Sequence, residues 1–276
     1  MSALLNSSLN SSLTSSLTST LQHARKARRY SQLELSLRLQ ISQRHISFVE
    51  SGRAKPSREL LMAWLQELDA PLVVRNAAML QAGYAPAYSA APLNDPSLAQ
   101  AQDALVQLLN AHDPMPALVI DAHWNLLHLN RGGQWLTATL MPWAANLPAD
   151  MPVNMLDVLA HPEGLTKHMS NLAEVGPALL AHLRDDASMQ PSIAAKVESF
   201  AELLRSRLGT QHLHSSTRLS APVLTTRFNT VYGELAFFSM FTTFGTPHDI
   251  TLASLRVEHM FAADEATRAV VNAQVK

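Results

Sequence analysis

The sequence predicts a two-domain chain: an all-α module over residues 21–92, then an α+β body over 93–276, with residues 1–20 as a flexible tail. Three observations lead there. Residues 21–70 hold nine Arg and Lys against five acids, for +4, while the remainder carries twelve against seventeen, for -5, although the net charge of the 276 residues is only -1. A run of short amphipathic helices ends at Gly83, and the chain turns rich in Pro, Ala, Tyr and Ser over 84–96, the composition of a linker. Beyond it, alternating and doubly apolar strands punctuate a helical stretch.

Each element has a local reason. Leucines at 5, 9, 13, 17 and 21 are four apart, but they sit among Ser, Thr and Asn, which are weak helix formers. A tail is therefore expected, with a short docking helix as the alternative. A first helix covers about Leu21 to Arg29. Ser31 with Glu34 makes a capping box for a second, reaching Leu39 with Leu35 inward. Ser42 caps a third, with Ile46 and Val49 on its apolar side and Gly52 as its stop. Pro56-Ser57 opens a fourth, packing Leu60, Leu61, Trp64 and Leu68, and Pro71 begins a fifth. In the body, a helix over about 97–111 precedes a hairpin, 117–121 with 125–129. Residues 131–208 read as helical, interrupted by Pro142, Pro148, Pro152, Pro162, Pro177 and Pro191. Strands follow over about 217–229, 234–244 and 252–260. In the middle one Leu235, Phe237 and Phe241 share one side and Phe238, Met240 and Phe244 the other, which predicts a central strand covered on both faces.

Composition excludes several classes. With no cysteine there is no disulfide framework, thiol nucleophile or thiolate zinc site. No apolar run approaches membrane-spanning length, and the first 20 residues lack the basic start of a secretory signal. A cytoplasmic protein with no membrane partner is the expectation.

The chemistry of residues 32–57 points to nucleic acid. The third helix presents Ser42, Gln43, Arg44, His45 and Ser47 outside its Ile46/Val49 stripe. These side chains have the donors, acceptors and lengths to reach base edges from a major-groove helix. Arg44 suits guanine and Gln43 adenine, while Ser47 and the helix start suit a phosphate. Arg53 and Lys55 flank the exit of that helix, and Ser57 follows. On residue chemistry alone, a plain helical subdomain with a solvated face remains open.

Gln32–Ser42, Arg44–Arg53 and Pro56-Ser57 together resemble the helix-turn-helix of XRE-type repressors, a lambda-repressor-like fold. The resemblance implies that Gln32 supports a backbone contact and that Gln43, Arg44 and Ser47 read double-stranded DNA. That family usually has glycine at the corner where this chain has Gln40, and a positive φ there would cost roughly 1 kcal/mol. Further motifs, Ala82–Pro86, Pro116–Asp121, Trp124, Asn130, His161–Leu165 and Phe244–Thr251, resemble regulators with an MmyB-like ligand-binding domain. That likeness spans residues 21 to about 268. It implies a PAS-like sensor body, a homodimer, no cofactor and an apolar or fatty-acid-like effector. The same family often has tryptophan where this chain has Leu172.

The body offers Trp124, Phe228, Phe237, Phe238, Met240 and Phe241 as candidate lining residues for an apolar pocket. Ordinary core packing competes at each, and a body that only dimerises is the alternative function. Catalysis finds little support. His161 and His168 are separated by helix breakers, and His212 and His214 lack a third ligand. Asp249 and Glu258 lie apart, and Asp264-Glu265 reads as a solvated end. Ser215 and Ser216 lack a nucleophile elbow, and Gly132-Gly133 lacks a phosphate-cradling loop. The turn at Pro247-His248-Asp249 reads as a corner between strands.

Overall fold

The computed structural model describes residues 16–146, 148, 151–209 and 223–276. His212, His214, Ser215, Ser216 and the start of the strand expected from 217 lie outside them. The chain divides into two units. One ends at Pro92 and also takes in Thr246–Ala253; the other comprises Leu93–Gly245 and Ser254–Lys276.

The first unit carries five helices before the linker: α1 (Leu17–Ala27), α2 (Gln32–Leu39), α3 (Gln43–Glu50), α4 (Arg58–Glu67) and α5 (Leu72–Gln81). Helix α1 starts inside the segment expected to be a tail. Ser16 accepts from Ser19 N at 3.3 Å as its cap, and Leu21 is fully buried. Burial of a leucine contributes about 1.5–3 kcal/mol, more than the weak propensity of Ser and Thr withholds. The three serine caps are present: Ser31 accepts from Glu34 N, Ser42 from His45 N and Ser57 from Leu60 N, at 3.0, 3.2 and 3.2 Å, while the Glu34 carboxylate of the expected capping box faces Arg38 at 3.8 Å. Leu21, Leu35, Ile46, Val49, Leu61 and Trp64 form one core.

Residues 246–253 join this unit along the linker. Ser89 and Asp249 form a parallel bridge, and Ile250 N donates to Ser89 O at 2.8 Å. Buried Asp249 accepts from Ala91 N, Thr251 N and Leu252 N at 3.2, 2.8 and 3.3 Å, and Thr251 Oγ1 donates to Ala91 O. The corner expected between two strands leads instead into the helix at Ile250–Ser254, and the Asp249 carboxylate fixes the linker backbone as well as its own.

The second unit is α+β and PAS-like. Helix α6 (Ala99–His112) leads into β1 (Ala117–Ile120) and β2 (Leu126–Leu129). Helices α7 (Arg131–Leu140), α8 (Met155–Ala160), α9 (Leu165–His168), α10 (Leu172–Met189) and α11 (Ala194–Leu208) follow. Then come β3 (Thr225–Thr230), β4 (Gly233–Thr242), α12 (Ile250–Ser254, mostly in the first unit), β5 (Arg256–Ala262) and α13 (Glu265–Gln274). The antiparallel sheet has the order β2-β1-β5-β4-β3.

Four expectations for this unit need correction. Pro177 does not interrupt α10, which runs through it. An interior proline costs about 3 kcal/mol, and here Leu180 and Leu183, both buried with the α11 residues Val197, Phe200 and Leu204, offset it. The expected strand over 252–260 begins only at Arg256, because 250–254 is helical. Asp264-Glu265 is a helix start: Asp264 accepts from Thr267 N at 2.8 Å, and Val271 of α13 is fully buried. Finally, β4 is covered only over Leu235–Phe237. Its pairing with β3 stops at Phe238, and beyond it Met240 and Phe241 are 55% and 43% exposed.

Candidate nucleic-acid interface and sensor core

The corner between α2 and α3 is built by Gln40, which takes φ 55°, ψ 38°. Its N–H closes on Leu37 O, and Ile41 N donates to Ser36 O at 3.0 Å, which satisfies the end of α2. A left-handed residue thus stands where the sequence resemblance led one to look for glycine. Buried Ile46 and Val49 seat α3 on the core, leaving Ser42, Gln43 and Arg44 exposed and His45 and Ser47 half-buried. The Oγ atoms of Ser42 and Ser57 are used as cap acceptors, but their hydroxyl protons remain donors. Arg53, Lys55 and Ser57 are exposed beyond the helix.

Gln32 is half-buried, and its Nε2 donates to Glu50 Oε2 at 2.9 Å. Glu50 is the residue that sequence reasoning missed. Its side chain is 2% exposed and receives Arg25 Nε and Nη2 at 2.7 and 2.9 Å in a two-pronged ion pair. Arg25 Nη1 donates to Tyr30 O, and Gln22 Nε2 to Glu50 O. The bond to Glu50 raises the pKa of the guanidinium above its ordinary value. This network ties α1, the start of α2 and the end of α3 together, so it fixes the pose of the exposed α3 residues. The available signal was an acid adjoining the Ile46/Val49 stripe.

In the second unit the six pocket candidates fall in different places. Trp124 is buried among Leu118, Ile120, Leu156 and Leu180, and adopts φ 64°. Its Nε1 donates to Asp186 at 3.2 Å, and Asp186 is itself paired with Arg256 at 2.6 and 3.1 Å. Phe228 and Phe237 come together in a neighbouring cluster with Leu136, Leu140 and Val158. Leu165 and Met169 pack against both clusters, so the apolar interior beneath the helices is continuous. Leu172 belongs to it, and Asn171 joins α10 to β3 by donating to Thr225 O and accepting from Arg227 N at 2.8 and 3.0 Å. Phe238 lies on the opposite side of the sheet, stacked on Phe261 with centroids 5.4 Å apart. Met240 shares that side, and Phe241 shares the side of Phe237 beyond its cover.

A shallow hollow of about 80 Å³ lies between α6 and the sheet, lined by Ala104, Leu105, Leu108, Thr242, Phe244 and Leu255 among others. It contains none of the six candidates. Nearby, His112 Nε2 donates to Met260 O at 2.9 Å, and its ring meets buried His259 edge-on at 4.8 Å. Burial, and then the neighbouring charge of His112, push the His259 pKa down.

Other motif residues are structural. Buried Asn130 caps α7 by accepting from Gly133 N, accepts from Ala117 N and donates to Met115 O, all within 2.8 Å. A Cβ on Gly132 would stand 2.2 Å from Pro114 O, so close packing explains the glycine there. His161 stacks on Trp143. Among the described residues no group of His, Asp and Glu could hold a metal ion, and no helix is long and apolar enough to cross a membrane.

Two family models match the chain. A helix-turn-helix model matches residues 21–74, and a model of the MmyB-like transcription regulator ligand binding domain matches residues 101–273. No curated protein matches the chain in sequence.

Proposed function

The chain belongs to the MmyB-like transcription regulators, a DNA-binding helix-turn-helix followed by a ligand-binding-type domain, and from that premise we propose that a small apolar effector bound by the second unit controls operator binding by a homodimer. Neither matched part is an enzyme's. On the DNA side, Arg44 pairs with guanine and Gln43 with adenine. Ser47 and the start of α3 take a phosphate, as do Ser42, Ser57, Arg53 and Lys55, and His45 is a further contact from α3. Gln32 sets the pose of α3 through Glu50 beside any backbone contact. The single observation carrying this reading is α3 itself: one face seated in the core by Ile46 and Val49, the other offering Ser42, Gln43 and Arg44 to solvent.

The effector site we favour is the continuous apolar interior around Trp124, Phe228 and Phe237. A chain of a dozen carbons gains about 0.8 kcal/mol per buried CH₂ before ordering costs. Ligand pockets usually measure about 300–1,000 Å³. The interior side chains therefore repack to admit a ligand.

Native mass spectrometry of the purified full chain, with extraction of any retained compound, tests the effector. Operator affinity is then measured with and without it, because only differential binding to the two DNA-binding states regulates anything. If the protein retains nothing and binds no member of an apolar panel, the sensor reading fails and the DNA reading stands. For the latter, Arg44→Ala should cost about 1–3 kcal/mol on a selected duplex and much less on a scrambled one. Lys55→Ala should weaken both alike. Equal losses for Arg44→Ala remove its role as a base reader.

A further inference from the structure

The basic side chains of the first unit are held by a carboxylate, by an aromatic ring or by both: Arg38 meets Glu67 and also lies with Cζ 4.5 Å from the centre of the Tyr30 ring, and Arg75 lies 5.9 Å from that of Tyr88. Arg25, Arg28 and Arg38 end on carboxylates: Glu50 at 2.7 Å, Asp69 at 2.6 Å and Glu67 at 2.9 Å. Arg44 and Arg53 have no carboxylate within ion-pair distance among the described residues. Both instead lie over the ring of Phe48, with Cζ 5.1 and 5.9 Å from its centroid. Lys55 is held likewise, its Nζ 4.8 Å from the centre of the Tyr84 ring. The side chains of Lys26, Arg29 and Arg58 have neither kind of partner among the described residues.

The difference matters for a surface that meets a polyanion. A carboxylate fixes a cation but cancels its charge and occupies its donors. An aromatic face attracts the same cation through its quadrupole, adds no charge and uses none of the N–H donors. Long side chains on a surface lose rotamer entropy when they bind, and a side chain already resting on a ring loses less. Phe48 stands one turn after Arg44 on α3, and Tyr84 is anchored by donating its hydroxyl to Pro56 O at 2.9 Å. Both rings are half-buried, so each is fixed by the core on one side and open to a cation on the other. Tyr84 also belongs to the Ala82–Pro86 motif, for which the fold otherwise supplies no role beyond packing.

Resting on the DNA reading above, we propose that Phe48 and Tyr84 are positioning residues that hold Arg44, Arg53 and Lys55 ready for DNA without neutralising them. The test uses the full chain, a duplex selected by it from a random pool, and a scrambled duplex of equal composition. Phe48→Leu should weaken the selected duplex by about two- to fivefold for each arginine released, the range of an exposed cation–ring contact. Phe48→Tyr, which keeps the ring, should stay within about twofold of the parent.

The deciding measurement is the double-mutant comparison. Phe48→Leu should have no further effect once Arg44 and Arg53 are alanine, and Tyr84→Leu none once Lys55 is alanine. An undiminished effect in those backgrounds, or none in the parent, overturns the proposal. Should a leucine variant fail to fold, proton NMR of the parent decides. Ring-current shifts on the Arg44 and Arg53 Hδ and Lys55 Hε protons support the stacking, and random-coil positions overturn it. Failure of the parent to bind any selected duplex removes the DNA reading itself, which is a different outcome.

Discussion

Removing the Glu50 carboxylate should cost the first unit more than any other single change to a polar side chain. Its side chain is 2% exposed and that of Arg25 11%. Three donors converge on the carboxylate: Arg25 Nε, Arg25 Nη2 and Gln32 Nε2. In Glu50→Ala the guanidinium keeps only the bond from Nη1 to Tyr30 O. Breaking a buried pair from one side costs about 3–5 kcal/mol. The residual exposure of Arg25 lets water reach it, so roughly 2–4 kcal/mol is expected. Small domains have only about 5–15 kcal/mol in all. Replacing both partners, as in Arg25→Met with Glu50→Leu, should recover most of the loss, because no charge is then stranded. Hydrogen exchange of the amides over residues 32–50, read against denaturant, isolates this unit from the rest of the chain. A Glu50→Ala loss below about 1 kcal/mol, the size of an exposed pair, would refute the reasoning.

Three other outcomes follow from the geometry. Asp249→Ala strands the N–H groups of Ala91, Thr251 and Leu252 and should cost about 1–3 kcal/mol, read as faster exchange at residues 89–91 and 249–252. Because burial lowers the His259 pKa, the unfolded chain takes up that proton first, so its contribution to stability is whole above about pH 6.5 and is lost on acidification. Glu258, whose pKa burial raises, acts in the opposite sense, whole below about pH 4.5 and lost as pH rises. Urea midpoints between pH 7.5 and 4.5 should thus fall less steeply in His259→Gln and more steeply in Glu258→Gln. A slope unchanged in both contradicts the assignment. At the corner, Gln40→Gly relieves about 1 kcal/mol of left-handed strain but frees the unfolded chain by about 0.4–1 kcal/mol, a near-neutral change, whereas Gln40→Val should destabilise by about 1 kcal/mol or more. A strongly stabilised glycine variant would contradict this.

What the sequence made legible was local. Ser31, Ser42 and Ser57 signal helix starts because a cap needs only a hydroxyl and the next few backbone amides. The alternation of Leu235, Phe237 and Phe241 against Phe238 and Met240 follows from the pleat alone. What it concealed depends on partners distant in the chain. Nothing near Glu50 announces Arg25, twenty-five residues earlier. Pro177 reads as a break until the packing of α10 on α11 is known. Whether Phe237 or Phe241 is covered depends on where β3 ends and the helices lie, which periodicity does not encode. Asp264-Glu265 reads differently once Thr267 is seen to cap on it, since the same acids mark a solvated end or a helix start. The corner is the mixed case: Gln40 is an unpromising residue for positive φ, and the chain adopts it because both flanking helices are independently capped and buried.

The segment 246–253 changes what a domain boundary means here. A cut after Pro92 would appear to free the body at the linker. That cut would also strip Asp249 and Ile250 of Ser89 and Ala91, their partners in the first unit. The two units are joined covalently at 92–93, 245–246 and 253–254 rather than once, and the second and third joins lead out of β4 and into β5. A body truncated at residue 93 would therefore leave the Asp249 carboxylate with only Thr251 N and Leu252 N, in a loop that has lost its template. Any dimerisation or effector affinity measured on such a fragment would include the cost of that loop. Comparing the full chain with Asp249→Ala keeps every residue in place and changes only the clasp. That pair, rather than a truncation, separates the contribution of the second unit from damage to the first.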